Sequence, residues 1–126
     1  MEENEIAKII VDVAYKIHRE LGPGLFESVY EPILEYELNN EHGLFVQRQP
    51  VIPVTWKGIT IDLGFKPDLI IEQKVIIELK SIETLAPVHY KQLLTYLRLT
   101  GLRLGLLINF NEALIKNGIK RVVNGL

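Results

Sequence analysis

The stretch that decides the fold runs from residue 66 to residue 80, Lys66-Pro67-Asp68-Leu69-Ile70-Ile71-Glu72-Gln73-Lys74-Val75-Ile76-Ile77-Glu78-Leu79-Lys80. A turn at residues 72–74 separates its two apolar runs, which is the pattern of a β-hairpin. Pairing Ile71 with Val75 places Asp68 opposite Glu78, and directly opposed residues have Cβ atoms about 4.5–5.5 Å apart. Because side chains alternate along a strand, Lys80 lies on the same face as Glu78. The hairpin therefore predicts one face with two carboxylates and an ammonium group.

Two carboxylates that face each other repel, so this pattern favours a cation between them. Mg²⁺, or the similar Mn²⁺, prefers oxygen ligands and is usually held by one or two carboxylates together with phosphate oxygens. Such an ion activates water at a phosphodiester, and Lys80 would assist that water. The alternative is that Asp68 belongs to a Pro-Asp turn, while Glu78 and Lys80 form an exposed polar rim. On spacing alone, both interpretations stay open.

Two amphipathic helices are predicted before the hairpin, because apolar residues recur at helical spacing over residues 6–21 and 28–40. Gly22-Pro23-Gly24 separates them with residues that end helices. The second helix is expected to begin with a capping box between Ser28 and Glu31. This region therefore supplies two helices to cover one face of a sheet.

Short strands fill the region between the second helix and the hairpin, and the pattern predicts an antiparallel meander. Pro50 and Pro53 cannot donate to a ladder, which predicts an edge or a bulge near them. The predicted segments are strands at 44–49, 51–56, 59–65, 69–71 and 75–79, a helix from Pro87 to Gly101, and strands at 104–110 and 119–123. We expect one mixed α/β domain over residues 1–126, with a central mixed sheet flanked by helices.

The composition limits the setting and the partners of the chain. It has 126 residues, of which 48% are hydrophobic and 24% charged, and this suits one compact core. The absence of cysteine excludes disulfides and thiolate metal sites and favours the reducing cytoplasm. The sequence has neither a signal peptide pattern nor a membrane span, so we expect no membrane partner. Since the net charge is −2, nucleic acid binding would need basic residues gathered locally.

Pro67-Asp68 followed by Glu78-Leu79-Lys80 across a hairpin resembles the PD-(D/E)xK nuclease superfamily, which has a restriction-endonuclease-like core. The segment Gly24-Leu25-Phe26-Glu27-Ser28-Val29-Tyr30 is similar to the signature of the GxxExxY proteins, a branch of that superfamily. Residues 17–23, 85–97 and 105–110 also resemble segments of this branch. The resemblance extends over nearly the whole chain, from Ile6 to Asn124.

This resemblance implies a nuclease that depends on Mg²⁺ (or Mn²⁺). It implies that Asp68 and Glu78 bind the metal and that Lys80 is the catalytic lysine. Glu27 matches the acid that the superfamily often places on its first core helix, where it is a further metal and catalytic residue. From its position alone, Glu27 is equally an acid at a helix N-terminus, where the helix dipole favours it.

Several other polar residues have both a functional and a packing interpretation. Gln92, with Tyr96 one helical turn later, resembles a Gln-x-x-x-Tyr element that helps to organise nuclease sites. Residues at i and i+4 also form ordinary polar contacts along a helix. For His18, His89 and Tyr30 we favour capping or packing over contact with substrate.

Different classes of function remain open from the sequence. The leading one is hydrolysis of phosphodiesters in DNA, in preference to RNA, and the alternative is a catalytically inactive nuclease-fold module for binding or assembly. A nuclease should gather Lys57, Lys66, Lys91 and Arg98 around its acidic site, whereas an inactive module need not. Chemistry on a small phosphorylated ligand ranks last, because no glycine-rich phosphate loop is present. An exposed strand such as residues 51–56 would allow a homodimer.

Overall fold

The computed structural model describes residues 1–126, apart from the side chain of Leu63. A π-helical turn at Glu37–Glu41 extends the second helix, and a 3₁₀ turn at Ile115–Asn117 precedes the last strand. The elements in chain order are α1 (Glu3–Leu21), α2 (Glu27–Tyr36), β1 (Val46–Arg48), β2 (Ile52–Trp56), β3 (Ile59–Phe65), β4 (Leu69–Ile71), β5 (Val75–Lys80), α3 (Pro87–Thr100), β6 (Leu104–Asn109) and β7 (Ile119–Val123).

A five-stranded mixed sheet of order β1-β4-β5-β6-β7 forms the centre of the fold. Neighbouring strands are antiparallel except for β5 and β6, which are parallel. Parallel strands need a crossover connection, and α3 provides it. The predicted fold class is therefore confirmed: the chain has a mixed α/β architecture consistent with a restriction-endonuclease-like core.

The strands before the β4–β5 hairpin do not follow the expected continuous meander. Instead, β1 pairs with β4, while β2 and β3 form a separate two-stranded sheet. Gln49 has a positive φ of 47° and is followed by Pro50, so the chain leaves the central sheet directly after β1. The β2–β3 register shifts between Ile52 and Val54, around Pro53. The irregularity predicted from the two prolines is thus confirmed, and the excursion explains the departure from a meander.

Both faces of the central sheet are buried, because side chains alternate between two apolar clusters. One face includes Leu69 and Ile77 and packs beneath α1 and α2. The other includes Ile70 and Ile76 and packs beneath α3. By the same alternation, Glu78 follows Ile76 onto the α3 face, which fixes where the predicted carboxylate pair can lie.

The capping box predicted for α2 is wrong. This helix begins at Glu27, one residue earlier than expected, and Phe26 is its N-cap without a side-chain hydrogen bond. The reason is a tertiary contact, since Glu27 Oε2 accepts a hydrogen bond from the Ser81 backbone N at 3.0 Å. Pro32 lies inside the helix and leaves the Ser28 carbonyl without its usual backbone donor. The first turn of α2 is therefore anchored by the sheet and not by a local cap.

Helix α3 is held close to the sheet and has well-defined ends. A β-carbon at Gly105 would lie only 2.8 Å from Leu93 Cδ1, so the glycine permits this close packing. At the start of the helix, the backbone N of Ala86 donates to His89 Nδ1 at 2.9 Å. Gly101, with a φ of 74°, ends it in the left-handed conformation. This packing places the inward side chains of α3 directly over the sheet.

Candidate active site

Asp68 and Glu78 face each other where the β4–β5 hairpin opens. The register pairs Leu69 with Ile77, as the sequence predicts, so the preceding residue lies opposite Glu78. The backbone N of Asp68 donates to Glu78 Oε2 at 3.2 Å, and the backbone N of Leu79 donates to Asp68 Oδ2 at 2.7 Å. Each carboxylate is therefore tied to the backbone of the opposite strand, and both are held at one point.

Burial and the closeness of the two acids dominate the electrostatics of this pair. Glu78 is buried, with 7% of its surface exposed, and Asp68 is half-buried. Burial, followed by the hydrogen bond and the charge of Asp68, raises the pKa of Glu78 to about 9. The Asp68 backbone N–H and the charge of Lys80 act in the opposite direction. At neutral pH the pair therefore holds a proton where a cation would otherwise balance the charge.

Helix α3 brings Tyr96 to the same place. Burial raises the pKa of its phenol, and the negative charges of Glu78 and Asp68 raise it further. The Tyr96 ring stacks on Phe65, with ring centroids 4.4 Å apart and planes inclined by 21°. Phe65 is the last residue of β3, so the separate β2–β3 sheet is joined directly to the acidic site.

The segment before α2 is bound to the end of β5, beside Lys80. Glu27 accepts the backbone N–H of Ser81, and Ser81 Oγ donates to the carbonyl of Leu25. Tyr30 stacks on Phe110, with ring centroids 4.3 Å apart. Glu27 thus binds the chain directly after Lys80, and Tyr30 packs on Phe110, whose backbone N donates to the Lys80 carbonyl at 2.9 Å.

The predicted site residues do not all converge on one point. Asp68 and Glu78 are in contact, and the charge of Lys80 acts on Glu78. Among the side chains that the structure describes, no group of three or more His, Cys, Asp or Glu is placed to hold a metal ion. Glu27 therefore does not complete a three-acid cluster with the pair. Gln92 is exposed on α3, one helical turn before Tyr96.

The packing interpretation agrees with the contacts of the two histidines and of Tyr30. His18 Nε2 is hydrogen-bonded to the carbonyl of Glu112 at 2.8 Å, and His89 caps α3. The Tyr30 hydroxyl donates to the Gly22 carbonyl at 2.6 Å and accepts the Leu25 N–H at 3.2 Å. These side chains hold turns and helix ends in place.

Asn109 is a site-supporting residue that sequence reasoning missed. It is fully buried and pairs in register with Lys80 on the neighbouring strand. Its Oδ1 accepts the backbone N–H groups of Ile82 and Asn111, and its Nδ2 donates to the Ile82 carbonyl at 2.9 Å. The sequence feature that could have revealed it is a single amide within the otherwise apolar run from Gly105 to Phe110. Asn109 fixes the chain immediately after Lys80.

The chemistry of the donor set fits a hard divalent ion. Two carboxylates converge, and the raised pKa of Glu78 means that a second negative charge at this position is unfavourable unless a positive charge balances it. Magnesium is commonly held by one or two carboxylates, with water and phosphate oxygens completing its coordination. The absence of a third acid at the pair is therefore compatible with this ion.

A hairpin with an opposed acid pair, a lysine two residues further along and a crossover helix above them defines a nuclease-like class of fold. The chain belongs to the PD-(D/E)XK nuclease superfamily, whose family model matches residues 4–122. No curated protein and no solved structure matches it significantly. In the described part of the chain, no helix combines the length and apolarity needed to cross a bilayer.

Proposed function

We propose that this protein is a divalent-metal-dependent nuclease that hydrolyses phosphodiesters in DNA, in preference to RNA. The observation that carries the proposal is the contact between Asp68 and Glu78 at the open end of the hairpin. Membership of the PD-(D/E)XK nuclease superfamily supports the nuclease class. We assign the chain to the GxxExxY branch, treat residues 1–126 as one nuclease-like domain, and expect it to act in the reducing cytoplasm.

In this proposal, Asp68 and Glu78 hold Mg²⁺ or Mn²⁺, and Lys80 acts on the attacking water. The bound ion would polarise the phosphodiester and lower the pKa of a coordinated water. The Lys80 ammonium orients that water and offsets negative charge that develops on the phosphoryl oxygens. Glu27 keeps the strand end beside Lys80 in place, and we retain it as a candidate for a water-mediated contact with the metal.

Gln92 and the basic residues near the site have proposed roles in binding substrate. Gln92 is exposed one turn before Tyr96, where its amide could reach a phosphate or a metal-bound water. Lys66 is exposed two residues before Asp68, and Lys91 and Arg98 are exposed on α3. Since the net charge of the whole chain is −2, we propose these exposed cations as the local positive charges that contact the substrate backbone.

The test is cleavage of duplex, single-stranded, flapped and branched DNA, and of matched RNA, with Mg²⁺ or Mn²⁺ or with a chelator. Asp68→Asn should abolish cleavage and weaken metal binding on the order of 10-fold or more, since even the loss of a ligand's hydrogen-bonded partner has effects of that size. The fold should survive, because the amide oxygen can still accept the Leu79 N–H and the amide adds no charge to the site. Asp62→Asn is the matched control, because Asp62 is an exposed acid on β3.

The two outcomes of this test separate the classes of function. If calorimetry gives the same metal affinity for Asp68→Asn and for the wild type, the ion binds at another site. A wild type that cuts nothing with either metal, while still binding nucleic acid, would favour the inactive binding module. We also propose a homodimer that forms by pairing of the exposed β2 strands. Sedimentation of the same samples measures the molecular mass and tests this.

A further inference from the structure

Gln49 has a backbone conformation that its sequence neighbours do not explain. It follows the last residue of β1 and has a φ of 47°, a left-handed value that glycine or asparagine adopts more readily. It precedes Pro50 and is itself exposed. A non-glycine residue held in this region is over-determined by contacts elsewhere, and such positions cluster near functional sites.

A buried carboxylate holds the side chain of Gln49. Glu31 on α2 is only 4% exposed, and its Oε2 accepts a hydrogen bond from Gln49 Nε2 at 2.9 Å. The same oxygen accepts a hydrogen bond from Arg48 Nε, also at 2.9 Å. Arg48 is also 3.7 Å from Glu35 Oε1, so its charge is shared between two acids of α2. One oxygen of Glu31 therefore fixes two consecutive residues at the end of β1.

The backbone of Gln49 reaches the proposed metal site. Its N–H donates to the carbonyl of Asp68 at 2.8 Å, one step beyond the Arg48–Leu69 pair that ends the β1–β4 ladder. The same Asp68 uses its own N–H on Glu78 and its carboxylate on the Leu79 N–H. Gln49 thus binds the carbonyl of Asp68, which is the one backbone hydrogen-bonding group of Asp68 that β5 does not bind.

We infer that Glu31 and Gln49 form a positioning device for Asp68, in which α2 sets the orientation of the carboxylate through the left-handed residue at the end of β1. This inference rests on the proposed function, because it concerns the same acid pair. The Glu31 carboxylate anchors the Gln49 side chain, and the strained backbone then directs its N–H at Asp68. The residues act through Asp68 and do not touch substrate.

Gln49→Gly is the sharpest test, because glycine adopts the same φ and keeps the N–H while it loses the bond to Glu31. We expect this variant to fold, because Arg48 still pairs with Glu31 and glycine adopts the left-handed φ without strain. Its affinity for Mg²⁺ and Mn²⁺ should fall on the order of 10-fold, the size of effect seen when a ligand loses its hydrogen-bonded support. The metal affinity of Glu31→Gln should fall less, because the amide oxygen of the new side chain can still accept the hydrogen bond from Gln49 Nε2. Glu35→Gln is the matched control, since it touches Arg48 but not Gln49, and should bind metal as wild type does.

Amide hydrogen exchange gives a second measurement that needs no metal. The Leu79 N–H reports directly on the Asp68 carboxylate that accepts it. In Gln49→Gly, its exchange should become faster while that of Ile77 in the same strand is unchanged. Equal exchange of Leu79 in both proteins, or equal acceleration of the two amides, would overturn the inference whatever the metal affinity. A wild type that binds no metal would overturn the proposed function, and the exchange of Leu79 would still decide the positioning role.

Discussion

Lys80 is the residue that separates metal binding from catalysis in this site. Its protonated ammonium cannot ligate a cation, yet its charge acts on Glu78. Lys80→Ala should therefore keep metal and nucleic acid binding but lose turnover on the order of 10²-fold or more, as found when one preorganised charge-stabilising group is removed. Single-turnover cleavage measured together with calorimetry of metal binding checks both parts.

Two further variants make the Lys80 measurement specific. Lys116→Ala removes an exposed cation from the 3₁₀ turn and should cut at the wild-type rate. Lys80→Arg should restore little activity, because a planar guanidinium differs in shape from a compact ammonium and does not exchange a proton at neutral pH. Equal cleavage by wild type and Lys80→Ala with the same metal would show that the assigned role is wrong.

Single residues differ in how far the sequence predicts their roles. Asp68 lies opposite Glu78 because of the register of a local hairpin, so the sequence alone was sufficient to predict this pair. Asn109 and Gln49 could not be found in this way, because their contacts depend on strands distant in sequence. The bond between Glu27 and the Ser81 backbone likewise depends on how α2 packs against the end of β5.

At the scale of elements, one hydroxyl group bridges the two ends of the turn between α1 and α2. The Tyr30 hydroxyl bridges the Gly22 carbonyl and the Leu25 N–H, while its ring stacks on Phe110. Tyr30→Phe keeps the stack and loses both hydrogen bonds, so it should lower the free energy of unfolding by about 1–3 kcal/mol. Denaturant unfolding measures this change. Tyr36→Phe on the exposed side of α2 is the control and should be nearly neutral.

The sequence predicted elements better than it predicted their partners. The β4–β5 pairing was local and was correct, but β1 pairs with β4 across an intervening two-stranded sheet. Pro50 and Pro53 indicated an interruption, but the left-handed backbone at Gln49, where the chain leaves the central sheet, was not predicted. The predicted start of α2 was wrong for a similar reason, since the first turn of this helix is anchored by Ser81, which is distant in sequence.

At the scale of the whole molecule, the acid pair links the stability of the fold to pH. The pKa of Glu78 is about 9 in the folded protein and near its ordinary value of 4.5 when the chain is unfolded. Above pH 4.5 the unfolded chain releases this proton while the folded protein keeps it. The stabilising contribution is therefore complete below pH 4.5 and is lost progressively as the pH rises towards 9.

Between about pH 5 and pH 8, the metal-free wild type should therefore lose stability relative to Glu78→Gln, which carries no titrating group at this position. The free energy of unfolding of the wild type, relative to that of Glu78→Gln, should fall over this pH interval by an amount on the order of a few kcal/mol. Denaturant unfolding with a chelator at both pH values measures this change. Glu83→Gln, which removes an exposed acid after β5, should follow the wild type.

Adding Mg²⁺ at about pH 8 should restore the stability of the wild type but not that of Glu78→Gln, because the ion replaces the proton between the carboxylates. Parallel pH curves for wild type and Glu78→Gln would mean that Asp68 and Glu78 share no proton in the folded protein, and the electrostatic case for a cation between them would then be lost.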